Sequence, residues 1–207
     1  MRTIALISMK GGSGKTTLAL HLANAATEHG HNVAVLDLDP QQSAAKWGDR
    51  RSAAVPVVLA APPSRLGQDL ERVATAGADV VVIDTPPRAG SDNAAIAAAK
   101  VADLVVLPCR PAILDLETVA STAARVRDVA QVPVVVVLNG CPSRGNATED
   151  AAAALIDLGL EVCPVRIGQR VAFARSLLDG RTAPELEPSG RAAAETARLH
   201  TFIACTD

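Results

Sequence analysis

Short runs of Val, Ile and Leu alternate along this chain with longer alanine-rich stretches that carry charges at intervals. The runs Thr3–Ser8, Asn32–Leu38, Pro56–Leu59, Asp79–Asp84, Asp103–Pro108 and Val132–Asn139 read as strands, with a weaker seventh at Glu161–Val165. Several are apolar at successive positions, the pattern of strands covered on both faces. The intervening segments read as helices: Gly14–Glu28, Ser64–Ala76, Ser91–Val101, Leu116–Val129 and Ala147–Leu158, then two more near Gln169–Leu178 and Ser189–Ile203. Arg181–Gly190, broken by Pro and Gly, reads as a loop. This alternation predicts an α/β fold, a doubly wound and mostly parallel sheet flanked by helices, with right-handed crossovers. At 207 residues the chain is expected to form one domain, 1–207.

Composition narrows the function classes. Hydrophobic residues make up 49% and charged residues 20%, which is globular and not disordered. Aromatic residues are 1% (Trp47, Phe173, Phe202), so the core must be aliphatic and stacking platforms for single strands are absent. The net charge of −2 gives no overall pull toward nucleic acid or anionic membranes. Cys109, Cys141, Cys163 and Cys205 lie far apart without a C-x-x-C pair, the expectation being reduced, buried thiols in a cytoplasmic protein. No run approaches the roughly 20 apolar residues of a membrane span, and no signal peptide is expected.

The strongest chemical signal is Lys10-Gly11-Gly12-Ser13-Gly14-Lys15-Thr16-Thr17, between the first strand and the first long helix. Glycines let several backbone N–H groups converge on one anion, and the helix N-terminus adds partial positive charge. Lys15 suits the β- and γ-phosphates of a nucleotide, the Thr16 hydroxyl suits Mg²⁺, and Thr17 is placed for the α-phosphate. The usual phosphate-loop pattern would have glycine at position 9; this chain has Met9 there and an additional lysine, Lys10.

Carboxylates end two other strands, at the edge where such sheets bind ligands. Asp37-Leu38-Asp39-Pro40-Gln41 closes the second strand, either as acceptors for water and metal or as a simple Asp-Pro turn. Asp79–Asp84 runs four apolar residues into Asp84, the arrangement in which a buried strand presents a carboxylate to Mg²⁺, followed by Thr85-Pro86-Pro87.

Together these segments resemble the ParA/MinD superfamily of deviant Walker A ATPases, within it the small, ParF-like plasmid partition members. The resemblance is specific to about residue 117. It implies ATP and Mg²⁺ as ligands and a homodimer that forms on ATP binding, Lys10 reaching the partner's nucleotide as an arginine finger would. It also implies that Asp39 positions the hydrolytic water, that Asp37 supports the metal held by Thr16 and Asp84, and that Pro111 and Asp115 line the dimer face. For Asp115 a helix-capping role stands equally. Asn139 resembles an adenine-contacting residue, while an Asn-Gly turn accounts for it as well.

The implied function is segregation of DNA cargo, with hydrolysis stimulated by a small centromere-binding, ParB- or ParG-like partner. Positioning of a protein cargo is the alternative. Tyrosine kinases and iron–sulfur relatives are excluded by the missing tyrosines and paired cysteines. A membrane-docking tail is excluded by a last helix whose bulky apolar groups are Leu199, Phe202 and Ile203. The start of the loop so near residue 1 carries the expectation of no helix-turn-helix extension. Arg166, Arg170, Arg175, Arg181, Arg191 and Arg198 either hold nucleoid DNA weakly or are simply solvated. Two rivals remain: a metabolic phosphate-loop enzyme with a small-molecule substrate, and a nucleotide-binding adaptor without turnover.

Overall fold

The structure is a computed structural model that describes residues 1–87 and 92–206. Seven strands run in the order β3-β2-β4-β1-β5-β6-β7, all pairs parallel: β1 Arg2–Leu6, β2 Val33–Asp37, β3 Val57–Ala60, β4 Val80–Asp84, β5 Leu104–Cys109, β6 Val134–Cys141 and β7 Glu161–Val162. A short β8, Ile167–Gly168, pairs with the end of β6 across a register shift between Asn139 and Cys141. The helices are α1 Lys15–Glu28, α2 Ser43–Arg50, α3 Leu66–Thr75, α4 Asp92–Val101, α5 Ile113–Val129, α6 Ala147–Asp157, α7 Val171–Leu178, α8 Ala183–Leu186 and α9 Arg191–Cys205.

Strand residues alternate between two cores. Ala5, Ile83, Val105 and Val136 belong to one, packed by α3 to α6; Leu6, Val82, Val106 and Val137 belong to the other, with α1, α9, Trp47 and Phe173. Burial on both faces is why the strands read as unbroken apolar runs. Pro108, which has no amide to donate, lies beyond the point where β1 stops pairing with β5 and faces Val137 of β6 alone.

Five sequence expectations need correcting. Ser43–Arg50 is a helix, of which only Ala44 and Trp47 are buried, too narrow a stripe to register as a period. The expected loop Arg181–Gly190 holds α8, opened by a capping box of Thr182 and Glu185 with Pro184 in its first turn, where proline is tolerated. Helix α5 begins at Ile113, not Leu116, and the weak seventh strand stops at Val162. Cys205 is exposed, while the other three cysteines are buried. The expected helix start at Ser91 lies outside the described residues. No helix among the described residues is long and apolar enough to cross a membrane.

A buried polar knot ties α2 to the C-terminal segment. Arg51, its side chain 5% exposed, pairs with Glu185 at 2.7 and 3.0 Å. It also donates to Asn24 Oδ1 at 2.9 Å and to the Gly180 and Val55 carbonyls, and lies 4.9 Å over the Trp47 ring. Trp47 Nε1 donates to the Arg181 carbonyl at 3.0 Å. Removing one partner of a buried ion pair strands the other, at a cost of about 3 to 5 kcal/mol. Arg51→Ala should lose stability in that range, measured by urea unfolding.

His21 is the second link. Its Nδ1 donates to the Thr17 carbonyl at 2.7 Å, and its Nε2 accepts from the Ala183 amide at 2.9 Å, which fixes the neutral tautomer. Burial pushes its pKa down to about 4. The unfolded chain therefore binds the extra proton between pH 6.5 and 4, so this contribution is intact above 6.5 and lost as pH falls through that window. Buried Asp84, pushed up to about 7, shifts stability the opposite way. The difference between wild type and His21→Gln isolates the histidine. It should shrink by about 3 kcal/mol from about pH 7 to about pH 4 in paired urea titrations.

Candidate functional site

Because β4 is inserted between β1 and β2, three carboxyl-end loops meet. In register, Leu6 pairs with Asp84 and Asp84 with Asp37. The Lys10–Thr17 loop leaves β1 just above them and enters α1, whose N-cap is Gly14 in the left-handed region (φ 94°). No side chain caps this end and no acidic residue stands in its first turn. Its amides and dipole are left for an anion.

Lys15 is 6% exposed; burial lowers its pKa while the charges of Asp84 and Asp39 raise it. Thr16 Oγ1 donates to Asp84 Oδ2 at 2.6 Å. Asp84 is fully buried, and its other oxygen, Oδ1, has no hydrogen-bond partner. Burial pushes its pKa up to about 7, with Thr16 and Lys15 pulling it down and the nearby aspartates pushing it up. An orphaned carboxylate oxygen beside a threonine hydroxyl is a hard, all-oxygen donor set, which fits Mg²⁺. No group of three or more His, Cys, Asp or Glu side chains gathers for a metal ion among the described residues.

Asp37 is 2% exposed and caps α2: its Oδ2 accepts from the Ala44 and Ala45 amides at 2.8 and 3.0 Å, its Oδ1 from Asp39 N at 3.0 Å. Burial raises its pKa despite these three bonds. Asp39 is half-buried, and its carboxylate accepts from the Gln41 amide at 2.9 Å. Gln42, which follows, takes φ 54°, a left-handed conformation uncommon for a residue with a Cβ.

Lys10 lies apart from Lys15. Its side chain is 41% exposed and pairs with Asp115 at 2.9 Å. Asp115 sits in the first turn of α5, beside Ile113 and Leu114, 72% and 64% exposed. Pro111 is half-buried in the loop before that helix. Asn139, at the end of β6, donates from Nδ2 to the Ser13 carbonyl at 2.7 Å. Gly11 and Gly12 are exposed at the loop's tip, and Thr17 is half-buried.

Three of the six C-terminal arginines are engaged in ion pairs. Arg166 pairs with Glu149, Arg170 with Glu195 and Arg181 with Asp179. Sequence reasoning missed α2, Arg51, His21 and the Lys10–Asp115 pair.

Residues 4–183 match the CobQ/CobB/MinD/ParA nucleotide-binding domain, so the chain belongs to this family of nucleotide-binding ATPases. Its relatives include the "maintenance of carboxysome distribution protein A" of Gloeobacter kilaueensis, 44% identical over 126 residues, 60% of this chain and 56% of that protein. The protein of the same name from Halothiobacillus neapolitanus is 27% identical over 93% of this chain and 91% of its own length. The chromosome-partitioning ATPase Soj of Thermus thermophilus is 31% identical over 62% of this chain and 63% of that protein. Among solved structures, the ATP complex of a Cyanothece McdA variant superimposes with a TM-score of 0.77 at 18% identity, covering 100% of this chain and 98% of that one, a likeness of fold.

Proposed function

We propose that the chain is an ATP-driven switch that dimerises face to face over two nucleotides and thereby positions a large cargo. The observation that carries this is Lys10. A lysine serving its own chain's phosphates belongs inside the cradle with Lys15; Lys10 instead stands on the open face, parked on Asp115 beside exposed Ile113 and Leu114. A second copy docking on that apolar pair would receive Lys10 at its own nucleotide.

In this reading Gly11, Gly12, Ser13, Gly14, Thr16 and Thr17 supply amides and hydroxyls to the phosphates, and Lys15 supplies the main charge. Thr16 and Asp84 would hold Mg²⁺. When bound, the ion supplies neutralisation of charge on the β- and γ-phosphate oxygens. Asp37 supports that site indirectly by holding the start of α2, and so the turn that carries Asp39. Asp39 accepts a proton from the attacking water and aims its oxygen. Release of Lys10 from Asp115 couples hydrolysis to dimer closure, with Pro111 shaping the loop that carries this contact.

Two cargo classes follow from the relatives. The carboxysome-distribution likeness supports a protein body; the Soj likeness supports DNA partition, with a small centromere-binding, ParB- or ParG-like partner stimulating turnover. In either case the ATP-bound dimer rests on nucleoid DNA through C-terminal arginines, of which Arg175, Arg191 and Arg198 are exposed.

Sedimentation with Mg²⁺ and either ADP or a non-hydrolysable ATP analogue, with and without duplex DNA, tests this. Dimerisation and co-sedimentation with DNA are expected only with the ATP analogue. Tight monomeric binding indifferent to the γ-phosphate would overturn the reading in favour of a small-molecule enzyme.

A further inference from the structure

Resting on the reading of Lys10–Thr17 as a nucleotide site, we infer that Asn139 is a positioning residue for the phosphate loop itself. The side chain crosses 126 residues of sequence to donate from Nδ2 to the Ser13 carbonyl at 2.7 Å. A carbonyl only accepts, so the amide must present its nitrogen here.

The consequence lies in the peptide unit that Ser13 shares with Gly14. In a trans peptide the C=O and the following N–H point in opposite directions. Holding the Ser13 oxygen toward Asn139 therefore turns the Gly14 N–H away from it, toward the side of the loop where an anion is cradled. The fit is close: a Cβ on Gly14 would stand 2.0 Å from Asn139 Nδ2, and Gly14 already has φ 94°. A glycine at this position thus satisfies both the backbone and the neighbour.

Asn139 is itself fixed. It pairs with Ile167 of β8 at the irregularity that ends β6, and Gly140 beyond it takes φ 67°. The short strand β8, near residue 167, thereby bears on the geometry of a loop near residue 13.

The test measures affinity for Mg²⁺-tripolyphosphate, which has no base, beside a non-hydrolysable ATP analogue, by calorimetry on wild type, Asn139→Ala, Asn139→Asp and Lys15→Ala. Asn139→Ala should weaken both ligands by the same factor, about tenfold for one lost hydrogen bond. Near-isosteric Asn139→Asp should weaken both at least as much, because it sets a carboxylate oxygen against the Ser13 carbonyl. Weakening of the ATP analogue alone would assign Asn139 to the adenine and overturn the inference. So would unchanged affinities in folded variants with a lower melting temperature, the signature of a merely structural contact. If Lys15→Ala binds both ligands as wild type does, the nucleotide-site reading itself fails.

Discussion

Lys15→Ala should lose nucleotide affinity by at least about 100-fold while the empty protein melts no lower than wild type. In the proposed reading its ammonium would be the main cationic partner of the phosphates, and each charge-assisted hydrogen bond there is worth about 1.5 to 3 kcal/mol. The same ammonium is a cost in the empty protein. It is 6% exposed, makes no ion pair among the described residues, and burial already lowers its pKa. Deleting it relieves that cost. Calorimetric binding and thermal melting on one preparation read both effects, and parallel losses of affinity and stability would show that Lys15 holds the fold together instead.

Lys10→Ala should behave differently at the same loop. ADP binding should stay within about twofold of wild type, because Lys10 points to Asp115 and not into the cradle. Turnover in the presence of the stimulating partner should fall by about 10³-fold, the scale of a charge supplied in trans to the transferring phosphoryl group. ATP-dependent dimerisation should disappear with it. Asp115→Ala frees the same lysine without deleting it, so ATP-dependent dimers should persist there. Sedimentation and phosphate release on the two variants separate the roles. Normal hydrolysis by Lys10→Ala would end the deviant-loop assignment.

The parts of this site legible in the sequence are those whose chemistry is local. A loop of glycines and lysines between a strand and a helix carries its own context, and strand-ending carboxylates mark the ligand edge of any parallel sheet. Asp37 shows the limit: its place was legible, but the bonds that make it the cap of α2 were not, because that helix buries just Ala44 and Trp47. Helix α8 was hidden by Pro184, although Thr182 three residues before Glu185 is a capping-box signature that a closer scan would register. Contacts such as Arg51 with Glu185, Lys10 with Asp115 and Asn139 with Ser13 join residues far apart in the chain. They depend on strand order, which no local period encodes.

Trp47 gives this molecule a built-in optical probe. It is the single tryptophan, and no tyrosine accompanies it. Emission excited at long ultraviolet wavelengths therefore comes from one indole, seated on the helix that follows Asp39 and bonded to the C-terminal segment through Arg181. The Arg51 guanidinium over its ring makes its quantum yield sensitive to small shifts of that contact. Rapid mixing with nucleotide would then report any change around α2 in real time, without a label.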